Sequence, residues 1–185
     1  MHLLVFLPLL AVVAAYVEHI ERRSQPGVPQ PTSVNLRPLE WGDFNVISTT
    51  DTHGWLAGHL KEETYSADFG DFASFISHMR EQAQYRRKDL LVIDNGDLHD
   101  GNGLSDASPL RGEISNAIFQ KVNYDALTIG NHELYLPETV EDTYKNFAPK
   151  LGKRYLTSNT FFKDLRTNKT VPFGKLYNKF RMKFG

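Results

Sequence analysis

The sequence predicts an α/β fold built on a mostly parallel, layered sheet with helices on both faces. Two observations carry this expectation. Short apolar runs of strand length alternate with segments whose apolar residues recur at helical spacing. Three of the runs also end in clusters of polar, ligand-type residues, the place where open α/β sheets build their sites.

The elements follow in order. Residues 44–49 (Phe44-Asn45-Val46-Ile47-Ser48-Thr49) read as a first strand and stop at Asp51-Thr52-His53-Gly54. Residues 69–84 place Phe69, Phe72, Phe75, Ile76 and Met79 on one face of a helix. Residues 90–94 (Leu90-Leu91-Val92-Ile93-Asp94) read as a buried strand ending at Asn95-Gly96-Asp97. A helix is expected over 110–121, with Leu110, Ile114, Ala117 and Ile118 inward. Residues 124–129 form a third strand, ending at Gly130-Asn131-His132-Glu133. Pro137 suits the first turn of a helix running to about residue 147. Residues 155–158 give a fourth strand, followed by a basic, aromatic tail over 171–185.

Ahead of this domain, residues 3–15 are apolar and too short to cross a bilayer core of about 30 Å. Val13 and Ala15 suit the −3 and −1 positions of a signal-peptidase site, so residues 1–15 read as a signal peptide, although Met1 and His2 supply no Lys or Arg. Residues 16–40, with Pro26, Pro29, Pro31 and Pro38, read as an extended linker into a domain over 41–185. This predicts the secretory pathway, with the protein secreted or vacuolar and no stable membrane span. The sequon Asn168-Lys169-Thr170 would then be a glycosylation site.

Composition narrows the chemistry. The net charge of −1 supplies no basic field for nucleic acid. With no cysteine, thiolate ligands and Cys nucleophiles are excluded, and any metal must sit on His, Asp, Glu or Asn. Such ligands suit Mn, Fe, Mg or Zn.

In the first cluster, the carboxylate of Asp51 and the imidazole of His53 stand two residues apart and can reach one cation from a single turn. In the second, Asp97 follows a buried strand, and a carboxylate there can bridge two cations. His99 repeats the Asp-x-His pattern; it could be a ligand, a group behind the ligands or a surface residue. In the third, Asn131 offers an amide oxygen to a metal, and His132 can approach a substrate as an acid or a charge stabiliser.

Together, Asp51-x-His53, Gly96-Asp97 and Gly130-Asn131-His132-Glu133 resemble the first three motifs of the calcineurin-like metallophosphoesterases. The Asp51-Thr52-His53-Gly54 form, Gly70-Asp71-Phe72, the stretch Gly96-Asp97-Leu98-His99-Asp100-Gly101 and Ser158-Asn159 resemble the 5'-nucleotidase-related branch, and the segment Gly130-Asn131-His132-Glu133-Leu134-Tyr135 resembles its secreted fungal members. The resemblance implies a metal-dependent hydrolase of small phosphomonoesters, 5'-nucleotides among them, using two divalent cations (Mn, Zn, Fe or Mg). It implies Asp51, His53, Asp97 and Asn131 as metal ligands, with Asp97 bridging, and His132 as the catalytic residue.

Two features depart from the family pattern. Leu134 and Tyr135 stand where an Asp that orients the histidine is expected, so Asp100, Asp106 or Glu138 would have to replace it. No histidine follows His132, whereas the family pattern has later ones. The expectation is an N-terminal part of the domain, incomplete at its C-terminus. The alternative is a truncated, inactive relic or binding module of the same fold. A co-catalytic metallopeptidase would need Glu133 as its base.

Overall fold

In a computed structural model, residues 37–59, 67–101 and 103–185 are described. The signal peptide and all of the linker up to residue 36 lie outside them. Among the described residues no helix is long and apolar enough to cross a membrane.

The central sheet has three parallel strands in the order β1-β2-β3: β1 (Phe44–Thr49), β2 (Asp89–Asp94) and β3 (Ala126–Leu127). Phe44 pairs with Asp89 and Thr49 with Asp94, so β1 and β2 are level along their whole length. Ile93 and Asp94 pair with Ala126 and Leu127. The three strands therefore end together, and the loops after them leave from one edge.

Each strand's burial follows its place. β2 is central and has no exposed residue, as its continuous apolar run requires. β1 is an edge strand that alternates strictly; Phe44, Val46 and Ser48 face outward, while Ile47 packs on the core.

Helix α1 (Phe69–Arg86) packs against β2. It opens on a reciprocal cap, in which Asp68 accepts from the Asp71 amide at 2.9 Å and Asp71 accepts from the Asp68 amide at 3.0 Å. It closes on Arg87 in the left-handed conformation. Of the face expected inward, Ile76 is buried and Phe69 and Phe72 pack on the core, but Phe75 is exposed. Arg80 ties the helix to the start of β3 through Asp125, at 2.8 Å.

Three expected elements are shorter than expected. The third strand covers only Ala126–Leu127, not 124–129. Helix α2 covers only Ser115–Phe119, not 110–121. Ile114 and Ile118, expected inward, are exposed; Ser115, Asn116 and Phe119 are buried instead. The reason is a long-range contact. Gly112, at φ +90°, backs directly onto His99, and Asn116 bonds that ring, so the segment is turned about a partner the local pattern does not contain. The fourth strand shrinks to bridges: Tyr155 pairs with Leu127 and Leu156 with Lys175, both parallel.

After Pro137 the helix runs in pieces: α3 (Pro137–Asp142), a π-helical turn (Thr143–Phe147) and α4 (Ala148–Leu151). The π turn seats Phe147 in the core and stacks Tyr144 on Phe162, centroids 4.0 Å apart. Phe162 belongs to a hairpin of β4 (Phe161–Asp164) and β5 (Lys169–Pro172). Asn168, at φ +54°, is exposed at its tip.

Candidate metal centre

The loop after β1 is zipped to the loop after β2. The Asp51 amide donates to the Gly96 carbonyl at 3.0 Å, and the His53 amide donates to the Asp97 carbonyl at 2.9 Å. Asp51, His53, Asp97 and Asp100 all adopt positive φ, between 46° and 65°. Each such non-glycine residue costs about 1–3 kcal/mol and persists only where its surroundings hold it. Here four lie in two neighbouring loops, which turns their side chains toward the same edge of the sheet.

The loop after β3 closes on the other two. Gly96, at φ +92°, lies so close to Gly130 that an added Cβ would come within 2.3 Å of the Gly130 amide nitrogen. The His132 amide donates to Asp97 Oδ1 at 2.9 Å. Ligand atoms of His53, Asp97 and His132 lie within 4.8 Å of one another, a group of donors able to hold a metal ion. The His53 and His132 rings meet edge-on, centroids 4.4 Å apart. Asp51 Oδ1 stands 3.5 Å from His53 Nε2. The Asn131 amide nitrogen donates to the Tyr135 hydroxyl at 2.6 Å, and that ring lies against His132, with centroids 4.6 Å apart.

The histidine tautomers suit cation binding. His53 Nδ1 lies 3.0 Å from the His99 carbonyl oxygen and 3.2 Å from that of Asp100. A carbonyl only accepts, so Nδ1 carries the proton and Nε2 presents its lone pair to the site. Nitrogen and oxygen donors fit Mn, Fe, Zn or Mg.

Behind these residues lies a carboxylate hub that the sequence reading reached only as a peptidase base. Glu133 is buried and accepts from the amides of Asp97, Leu98, His99 and Gly130 at 2.7–3.1 Å. Burial pushes its carboxyl up, but the neighbouring His99 and these amides outweigh that and hold it below the usual range. A carboxylate so occupied is not placed as a base. Asp94, at the end of β2, is also buried; it accepts from Thr49 Oγ1 at 2.6 Å and from the Gly96 amide at 2.9 Å. Burial pushes its carboxyl up to about 6. At the rim, the Thr50 hydroxyl holds the Asp51 carboxyl below its ordinary value despite some desolvation.

Of the three carboxylates considered as partners for His132, Asp100 is the one in place: its Oδ2 lies 3.2 Å from His132 Nδ1. Asp100 is itself ion-paired to Arg111, whose Nε lies 4.0 Å from Asp106. Arg111 escaped the sequence reading because only the fold brings it to this loop.

Known proteins share this fold. Residues 44–182 match the calcineurin-like phosphoesterase family. The chain is 49% identical, over 91% of its length, to a protein named "Secreted protein" from Arthroderma benhamiae, of which it covers 25%. The crystal structure of 5'-nucleotidase from Candida albicans superposes with a TM-score of 0.76 at 47% identity, covering 80% of this chain and 27% of that one. A 2',3'-cyclic-nucleotide 2'-phosphodiesterase/3'-nucleotidase from Haemophilus influenzae is 32% identical over 49% of this chain and 15% of its own length. The chain thus spans about a quarter or less of the length of these relatives.

Proposed function

The chain belongs to the calcineurin-like phosphoesterases, and from that premise we propose that it carries the first half of a two-metal site for hydrolysing phosphomonoesters, 5'-nucleotides among them. The observation that supports this most is the convergence of His53, Asp97 and His132 within 4.8 Å beyond the ends of three parallel strands. In this reading Asp51 and His53 would hold one divalent cation, Asp97 would serve that cation and a second, and Asn131 would offer its amide oxygen to the second.

When bound, divalent cations supply charge for the phosphoryl oxygens and a water of lowered pKa. The chain's own residues do the rest. His53 keeps Nε2 toward the site because two carbonyls hold its Nδ1 proton. His132, with Nδ1 against Asp100, keeps Nε2 for the substrate. Protonated there, it donates to the leaving oxygen or steadies charge on the phosphoryl group, while Asp100 holds the ring from its Nδ1 side.

Passage through the secretory pathway, with cleavage after residue 15 and a glycan at Asn168, completes the proposal. The named secreted relative and the exposed position of Asn168 support it.

The test is phosphate release from AMP and p-nitrophenyl phosphate with added Mn²⁺ or Zn²⁺, beside an Asp97→Asn variant. Metal-dependent release by the native chain, lost in the variant by at least about a hundredfold, is the expected result. Metal uptake without any release would leave a binding module.

A further inference from the structure

His99 is fully buried, yet it is neither a ligand nor a member of the apolar core. Its position touches all three loops of the metal centre. Its carbonyl oxygen receives the His53 Nδ1 proton at 3.0 Å, which fixes the first loop. Its amide donates to Glu133 Oε1 at 3.1 Å, and its ring Nδ1 stands 2.9 Å from the same oxygen, which fixes the third. The ring contact is short but bent, since no partner meets Nδ1 at a full hydrogen-bonding angle. Nε2 is 2.9 Å from Asn116 Oδ1, on helix α2. Gly112 presses on the ring's other side, where an added Cβ would come within 2.3 Å of Nε2.

From this we infer that His99 is a positioning residue: its ring, wedged between Glu133 and Asn116, holds the 97–100 loop where its carbonyls fix His53 in the metal-binding tautomer. The inference rests on the metal-site reading above. Its logic is steric and directional. Glu133 only accepts, so the Nδ1 that faces it carries the proton, and Nε2 then takes its hydrogen bond from the Asn116 amide with the amide's NH2 turned toward the ring. That orientation holds the residue 99 backbone against the 130–133 loop, and the residue 99 and 100 carbonyls then face His53. Without the Nδ1 contact the loop keeps its backbone bonds to Glu133 but loses the side-chain brace that sets its depth. His53 then has no fixed acceptor, and its Nε2 is no longer reserved for a cation. Residues behind metal ligands of this kind commonly change affinity about 10- to 100-fold when altered.

Two substitutions separate the ring's two ends. In His99→Asn the amide nitrogen takes the place of ring Nδ1 and still reaches Glu133. In His99→Gln the terminal amide takes the place of Nε2, reaches Asn116 and abandons Glu133. Two readouts are needed: Mn²⁺ titration calorimetry, and the ¹⁵N–¹H pattern of the His53 ring in the labelled, metal-free chain. Circular dichroism and urea unfolding confirm that each variant is folded. The expected result is a single Nδ1–H tautomer for His53 in the native chain and in His99→Asn, with Mn²⁺ affinities within about threefold. In folded His99→Gln the tautomers mix and Mn²⁺ binds about tenfold or more weakly. Native affinity and an unchanged His53 pattern in His99→Gln overturn the inference. Should His99→Gln not fold, a mixed His53 pattern in folded His99→Asn overturns it too. If the native chain takes up no Mn²⁺, the metal-site reading fails by itself, and the ring pattern still decides the role of His99.

Discussion

Asp100 Oδ2 lies 3.2 Å from His132 Nδ1 although 32 residues separate them in the chain. The Asp expected shortly after the histidine is replaced by Tyr135, whose ring sits 4.6 Å from the His132 ring and whose hydroxyl bonds Asn131. In the proposed site the orienting role would fall to Asp100, three residues after Asp97 on the same loop. Asp100→Asn should lower AMP turnover about 10- to 100-fold while leaving Mn²⁺ uptake near native. The loss should be smaller for p-nitrophenyl phosphate, whose leaving group needs little protonation. Equal losses on both substrates would remove His132 from the proton transfer.

What the sequence revealed and what it hid follow from range. β1 and β2 were legible because strand length and apolar content are local signals, and the three polar clusters stood out because each lies within a few residues of a strand end. Asp51, His53, Asp97 and His132 do come together at one edge. The expected helix over 110–121 failed because its register is set by Gly112 and Asn116 against His99, a contact between distant segments. The bracing of Glu133 and His99 was hidden for the same reason. Four backbone amides from two loops surround one carboxylate, and no spacing rule announces that.

Gly96 and Gly152 both have positive φ, at 92° and 58°, but only Gly96 is enclosed. An alanine at 96 meets strained backbone and the Gly130 main chain together; at 152 it meets strained backbone and open space. Gly152→Ala should cost about 1–3 kcal/mol, from backbone strain alone. Gly96→Ala should cost about 3 kcal/mol or more, because backbone must shift to admit the methyl. Urea unfolding of the two variants checks the contrast; equal costs would mean that the loop after β3 yields easily.

Asp89, at the start of β2, gathers the end of the described chain. Its carboxylate accepts from the amides of Lys183, Phe184 and Gly185 at 2.8–3.3 Å, and Arg87 lies over the Phe184 ring at 5.5 Å. This is the edge of the sheet opposite the metal centre. Asp89→Ala should release the three amides, cost about 1–3 kcal/mol and speed their hydrogen exchange. Exchange at His53 and His132 should stay as it is, because the sheet lies between them and Asp89.

Asp94 gives the stability of the metal-free chain a sign that is uncommon for a carboxylate. Burial raises its folded pKa from 3.8 to about 6, with Thr49 and the Gly96 amide opposing the rise. Below 3.8 both folded and unfolded chains hold the proton, and nothing is lost. Between 3.8 and about 6 the unfolded chain ionises first, so stability falls as pH rises, by about 3 kcal/mol in all. Asp94→Asn removes this slope and keeps an oxygen to accept from Gly96. Urea unfolding with a chelator present should therefore show the variant gaining on the native protein by about 2 kcal/mol between pH 4.5 and pH 7. A gain that is flat with pH would place the ionised carboxylate comfortably in its pocket, with Thr49 and Gly96 compensating for its burial.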